Sequence, residues 1–289
     1  MENSSPVNKQ SKTWRAIDHE KVLVVAIACI AILVIAVPLS KILPPGVDWH
    51  LMFRPAAMAV LEGKSPYSVE GFFNAPWTVL VLIPFALLSE EMGRAMLFLL
   101  SFIAYSLVAY RIGAKHITVI AFMISPPVLH GLLNSNIDWL ALLGFILPPQ
   151  IGLFFVAIKP QVGIGIMIFW LFQSWKTGGW RETIRIFFPF TLAILASLLI
   201  FGLWPLRFNQ TISFSWNASF WPASIPLGLV LLVHAIRTMD IRYAMPAGPC
   251  LSPYVIFHSW VGALLPLLTL KWETIIAVIG LWLVVLLRS

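Results

Sequence analysis

The chain has 289 residues, of which 60% are hydrophobic and only 11% charged, and its 13 Trp and 20 Phe put it outside the range of soluble globular domains. The formal net charge of +7 does not mark a nucleic-acid binder, because Lys and Arg stand mostly at the ends of apolar runs, where the positive-inside preference puts them. Composition predicts an all-α, multi-pass integral membrane protein with one transmembrane domain over residues 22–289.

Residues 1–21, MENSSPVNKQSKTWRAIDHEK, are polar and lack a cleavage signal after them, so they read as a cytoplasmic tail held inside by Lys9, Lys12, Arg15 and Lys21. A bilayer core of about 30 Å needs about 20 apolar residues as helix. Val22 to Leu39 meets that need and delivers residues 44–77 to the extracytoplasmic side. That loop gathers Asp48, His50, Arg54, Glu62, Lys64 and Glu70. Asp48 follows a Pro-Pro-Gly turn and reads either as a solvated loop acid or as a base for a substrate hydroxyl. In FRPAAMAVLEGKSPY the spacing of Phe53, Ala57, Val60 and Leu61 predicts an interfacial helix, stopped by Gly63 and Ser65-Pro66.

The next apolar runs, Thr78 to Leu88, Ala95 to Tyr110, Ile117 to Leu133 and Trp139 to Pro148, are partly too short for full spans and are divided by SEEMGR and NSNID. NSNID, with Asn134, Asn136 and Asp138, reads as a turn, the alternative being hydrogen-bonding groups near a site. IGLFFVAIKPQVGIGIMIFWLF is long enough to cross, but Lys159-Pro160 makes it either one broken helix or two half-length ones. Lys159 inside that run calls for an anion such as phosphate, a polar cavity, or a route to the interface. WKTGGWRETIR reads as a basic cytoplasmic loop, Ile186 to Leu203 as the next span, and residues 204–226 as a second, Trp-rich extracytoplasmic loop.

Leu227 to Ile236, Val255 to Leu270 and Ile275 to Leu287 close a total of about nine to eleven membrane segments. His258 lies inside one of them and reads either as a contact for an anion or proton, or as a histidine bonded to a neighbouring helix. His130 and His234 read the second way. Cys29 and Cys250 have no partner at metal-ligand spacing, so no disulfide or metal site is expected. The NQT and NAS triplets at Asn209 and Asn217 are short enough to recur by chance. No phosphate loop, HExxH or GxSxG is present.

The order GVDWH…AAMAVLEGKSPYSVEGFFNAPW…LIPFALL, then SPPVLHGLLNSNID, IKPQ and LSPYVIFHSW…LLP resembles the GT-C class of membrane glycosyltransferases. It is most similar to the polyprenol-phosphate-mannose-dependent mannosyltransferases of glycosyltransferase family 87. The resemblance covers about Val47 to Pro266. It implies that Asp48 is the catalytic base, that Ala56, Ala57, Leu61, Gly63, Pro66 and Tyr67 form the outer-loop helix and its stop, and that Asn74-Ala75-Pro76 stands for an aromatic-proline pair. Lys159 and His258 then bind the donor phosphate with Arg54 as a weaker contact, while His50, Tyr67 and Asn134 serve the acceptor or the loop.

The implied activity is an inverting transfer of a sugar, mannose by family, from a polyprenyl-phosphate donor to a lipid or glycan acceptor. It expects no cofactor beyond the lipid-linked sugar, membrane lipid as surroundings, and the plasma membrane of a prokaryote. The alternative is a non-enzymatic membrane subunit or transporter that retains the scaffold. The two departures are the short chain and NSNID in place of a Gly-Asn type turn.

Overall fold

In the computed structural model, which describes residues 19–288, every regular element is helical. Most of the expected cytoplasmic tail, residues 1–18, lies outside the described residues. Helix α1 (His19–Ile42) packs along α4 (Glu90–Arg111). Between them the first outer segment forms a π-helical turn (Trp49–Phe53), α2 (Arg54–Leu61) and α3 (Thr78–Ala86). Pro55 sits in the first turn of α2, where its missing N–H has no helical partner to lose.

The expected interfacial helix exists, but it faces inward. Phe53, Ala56, Ala57 and Ala59 are buried, α2 lies on α3, and Leu61 is left exposed. The alanines are small enough to let the two backbones approach, so the apolar face is spent on protein rather than on lipid.

Short helices follow: α5 (His116–Met123), α6 (Pro126–Leu133), α7 (Asp138–Gly144) and α8 (Pro149–Val156). Beyond them come α9 (Pro160–Phe201), α10 (Ile225–Thr238), α11 (Ile241–Leu251), α12 (Val261–Leu264) and α13 (Lys271–Arg288). Two described helices, α4 and α9, are long and apolar enough to cross a membrane, or three spans if α5 and α6, bent by 56°, form one. That is what a membrane protein requires, yet it is fewer than the nine to eleven segments expected. The difference arises because several apolar runs form helices of only seven to nine residues, broken at Ser125-Pro126-Pro127, at NSNID and at Pro148-Pro149.

The Lys159-Pro160 question resolves into two helices. Helix α8 ends at Val156, and α9 starts at Pro160 with Lys159 as its N-cap residue. Helix α9 is itself folded. Gly179 has φ +62 and ψ −152, and Ser174 Oγ lies 3.1 Å from Thr183 Oγ1. Residues nine apart on a straight helix would be about 13 Å apart along its axis, so the chain reverses at Gly179. The limbs 160–178 and 180–201 rise about 28 and 33 Å at the standard pitch, and either is long enough to cross a hydrocarbon core.

The first limb is clamped against α11. A Cβ on Gly165 would strike the Ala244 carbonyl, and one on Gly248 the Val162 carbonyl, so small residues allow the close approach by which membrane helices associate. The second limb turns much of its surface outward, with Leu199 89% exposed. An aromatic knot of Trp77, Phe154, Phe190 and Trp204 ties that limb to the end of the first outer segment.

Candidate functional site

NSNID, expected as a turn, is the hub of the buried polar chemistry. The turn places Ser135 at φ +54, a left-handed conformation that costs a non-glycine residue about 1 kcal/mol. In return the segment presents polar groups in several directions. The Asn134 carbonyl accepts from the Asp48 backbone N–H at 3.2 Å, and Asn136 Nδ2 donates to Asp48 Oδ2 at 2.5 Å. Gly46 lets the two loops touch, since a Cβ there would meet Ser135 Oγ at 2.5 Å. Asn136 Oδ1 accepts from the Asp138 backbone N–H at 3.0 Å, so one buried amide joins Asp48 to the start of α7.

Asp138 is fully buried and draws in residues from two distant parts of the chain. Its Oδ1 lies 3.4 Å from Lys159 Nζ, Ser259 Oγ donates to Oδ2 at 2.9 Å, and His258 Nε2 lies 3.7 Å from Oδ2. Lys159 and His258 are also buried, at 4% and 2% exposure. His258 Nδ1 lies 3.0 Å from Nδ1 of His130, and the His130 side chain reaches the surface. Asp48, Asp138, Lys159 and His130 all act electrostatically on the His258 ring.

Lys159 is held in place by the first outer segment. Asn74 Nδ2 donates to the Ile158 carbonyl at 2.8 Å and Trp77 Nε1 to the Phe154 carbonyl at 2.9 Å. Gly163, where a Cβ would collide with the Val156 carbonyl, lets the first turn of α9 close on the end of α8. The Asn74-Ala75-Pro76 stretch thus fixes the backbone next to the lysine.

Asp48, Lys159 and His258, separated widely in sequence, therefore lie in one connected cluster. His50 and Arg54 do not join it. Glu90 takes His50 Nδ1 at 2.5 Å and lies 4.0 Å from Arg54 Nη1, while Trp49 Nε1 donates to the Glu90 carbonyl at 3.0 Å. These contacts dock the π turn and α2 on the N-terminus of α4. Tyr67 is elsewhere too. Its hydroxyl donates to the Asn74 carbonyl at 2.9 Å, its ring stacks on Trp204, and Arg207 lies over the ring and donates to its carbonyl. Burial raises the Tyr67 phenol well above its usual range, against a smaller opposite pull from Arg207. The Asn134 side chain is spent on α6, donating to the His130 carbonyl at 2.8 Å.

Sequence reasoning passed over Asp138 and Asn136 as site residues. A signal was available in the buried ammonium itself. Lys159 inside an apolar run needs a counter-charge, and the carboxylate at the head of α7, two helices upstream, supplies one.

A groove of about 300 Å³ runs beside the start of α9, lined by Pro160, Gln161, Ile164, Phe208, Leu251 and Tyr254 among others. Burial pushes the Tyr254 hydroxyl up to about 12, helped by the negative charges of Asp48 and Asp138 and partly opposed by a hydrogen bond with Trp216. The groove thus reaches the charged cluster at Pro160, the residue after Lys159. Among the described residues no group of three or more His, Cys, Asp or Glu is arranged to hold a metal ion. No protein-family model matches the chain, and no curated protein or solved structure does.

Proposed function

We propose that the protein is an inverting glycosyltransferase that moves a sugar from a polyprenyl-phosphate donor to a lipid or glycan acceptor on the extracytoplasmic side, with mannose the sugar that the GT-C resemblance implies. The observation that carries this reading is the connection of Asp48, through the buried Asn136 amide, to the cluster holding Lys159 and His258. The residue proposed as base and the two proposed for the phosphate belong to one connected cluster, beside a groove of mainly apolar residues, which supports the reading.

In this mechanism an Asp48 oxygen takes the proton of the acceptor hydroxyl as that oxygen attacks the anomeric carbon. The bond from that carbon to the phosphate oxygen breaks on the opposite face, and the configuration inverts. Asn136 fixes the carboxylate so that Oδ1 remains open for the proton. Lys159 has three donors and only one carboxylate oxygen nearby, so N–H groups remain for the departing phosphate. Arg54, beside Glu90, is remote from this role.

The test is sugar transfer by the full chain in proteoliposomes with polyprenyl-phosphate mannose as donor. Asp48→Asn should lower turnover by about 10²-fold or more while the protein remains folded. Full turnover by that variant would remove Asp48 as the base.

One observation favours the second reading, a transporter or a non-enzymatic subunit. Lys159, the lysine of the cluster, already has Asp138 as its counter-ion, and Arg54 outside it has Glu90. A native protein that transfers no sugar from polyprenyl-phosphate donors would support it.

A further inference from the structure

The contact between His130 and His258 has a use that neither the anion-binding role nor simple packing explains. Their Nδ1 atoms are 3.0 Å apart and the ring planes are 23° from parallel, with centroids 5.3 Å apart. A nitrogen-nitrogen contact this short between nearly coplanar rings is an edge-to-edge hydrogen bond. One Nδ1 must donate and the other accept, so one proton lies between the rings. Two imidazolium ions would each carry a proton on Nδ1, and those protons would collide. The pair therefore accepts one added proton, not two.

The ends of the pair face different surroundings. His130 reaches the surface, where Phe257 packs edge-on to its ring. His258 is buried with Nε2 toward Asp138, and that nitrogen has no hydrogen-bond partner. The charged and titratable groups bearing on the pair are Asp48, Asp138 and Lys159, together with Tyr105, whose hydroxyl approaches Gly131 next to His130.

We infer that His130 and His258 form a single-proton relay between the surface and the buried Asp138 site. A proton binds at His130 Nε2, the Nδ1 proton of His130 passes to Nδ1 of His258, and the Nε2 proton of His258 passes to an oxygen facing Asp138. Each ring ends with one proton, as it began, and tautomer exchange resets the pair. The relay rests on the geometry alone. Its use, protonating the departing lipid phosphate, rests on the transfer reaction proposed above.

The experiment has two arms, both on the full chain reconstituted in lipid. In the first, nitrogen-15 labelled histidines are followed by NMR across about pH 5 to 8. The expected result is a coupling across the hydrogen bond between two Nδ1 atoms, uptake of one proton by the pair, and loss of both the coupling and rapid exchange of the His258 ring proton with water in His130→Gln. Independent uptake of two protons, or unchanged exchange in His130→Gln, would overturn the relay. In the second arm, His130→Gln should lower kcat for sugar transfer without changing KM, and should alter the pH profile. Equal activity of variant and native protein at every pH overturns the relay's catalytic use. A native protein that transfers no sugar but shows the shared proton keeps the relay and sinks the transfer reaction instead.

Discussion

Two clusters in this molecule have the same parts and opposite surroundings. Glu90 is met by His50 and Arg54, with side-chain exposures of 34%, 55% and 30%. Asp138 is met by His258 and Lys159, with exposures of 0%, 2% and 6%. In the first cluster water screens the charges, and the pairs contribute little beyond docking one helix on another. In the second, water is excluded, desolvation opposes the attraction, and an apolar replacement of similar size would often be as stable. A buried ion pair held under those conditions is a weak source of stability.

The difference between the clusters can be measured. The largest expected effect is that of Asp138→Leu, which leaves the Lys159 ammonium buried without its counter-ion. It should cost about 3–5 kcal/mol, read as a large fall in thermal midpoint in detergent or nanodiscs, whereas the double variant Asp138→Leu, Lys159→Met should recover most of the loss. A single variant as stable as the native protein would show that the pair is not isolated from water. Asn136→Ala comes next, at about 1–3 kcal/mol, because the Asp138 N–H and the Asp48 carboxylate both lose their buried partner. Glu90→Gln should change stability least, by about 1 kcal/mol or less, with the difference fading as salt is raised. A loss at Glu90 as large as that at Asp138 would erase the distinction between the two clusters.

The sequence disclosed the helical membrane class because composition alone excludes a soluble domain. It also singled out Asp48, Lys159 and His258, each by its position after or within an apolar run, and the fold joins these three in one cluster. It grouped Arg54 with the donor phosphate, whereas the fold sets it beside Glu90, since closeness to Asp48 along the chain says nothing of where a tight π turn aims the next side chains. NSNID was hardest to read. Its composition is that of any polar turn, and only the tertiary approach of Gly46 and the burial of Asp138 reveal that its groups face inward. The inward-facing α2 went unseen for a related reason, because helical spacing identifies an apolar face but not whether lipid or α3 will cover it.

The reversal at Gly179 brings the two ends of α9 together. The chain doubles back there, so the start of α9 at Pro160 and its end at Phe201 lie at the same end of the hairpin. Lys159 and the Trp204 segment that stacks on Tyr67 consequently share that end, and the Trp180–Arg181 tip lies at the other. A chain straightened at Gly179 would carry the Trp204 segment away from Tyr67 and Trp77, and with it the aromatic contacts that hold the far end of α9 near Lys159.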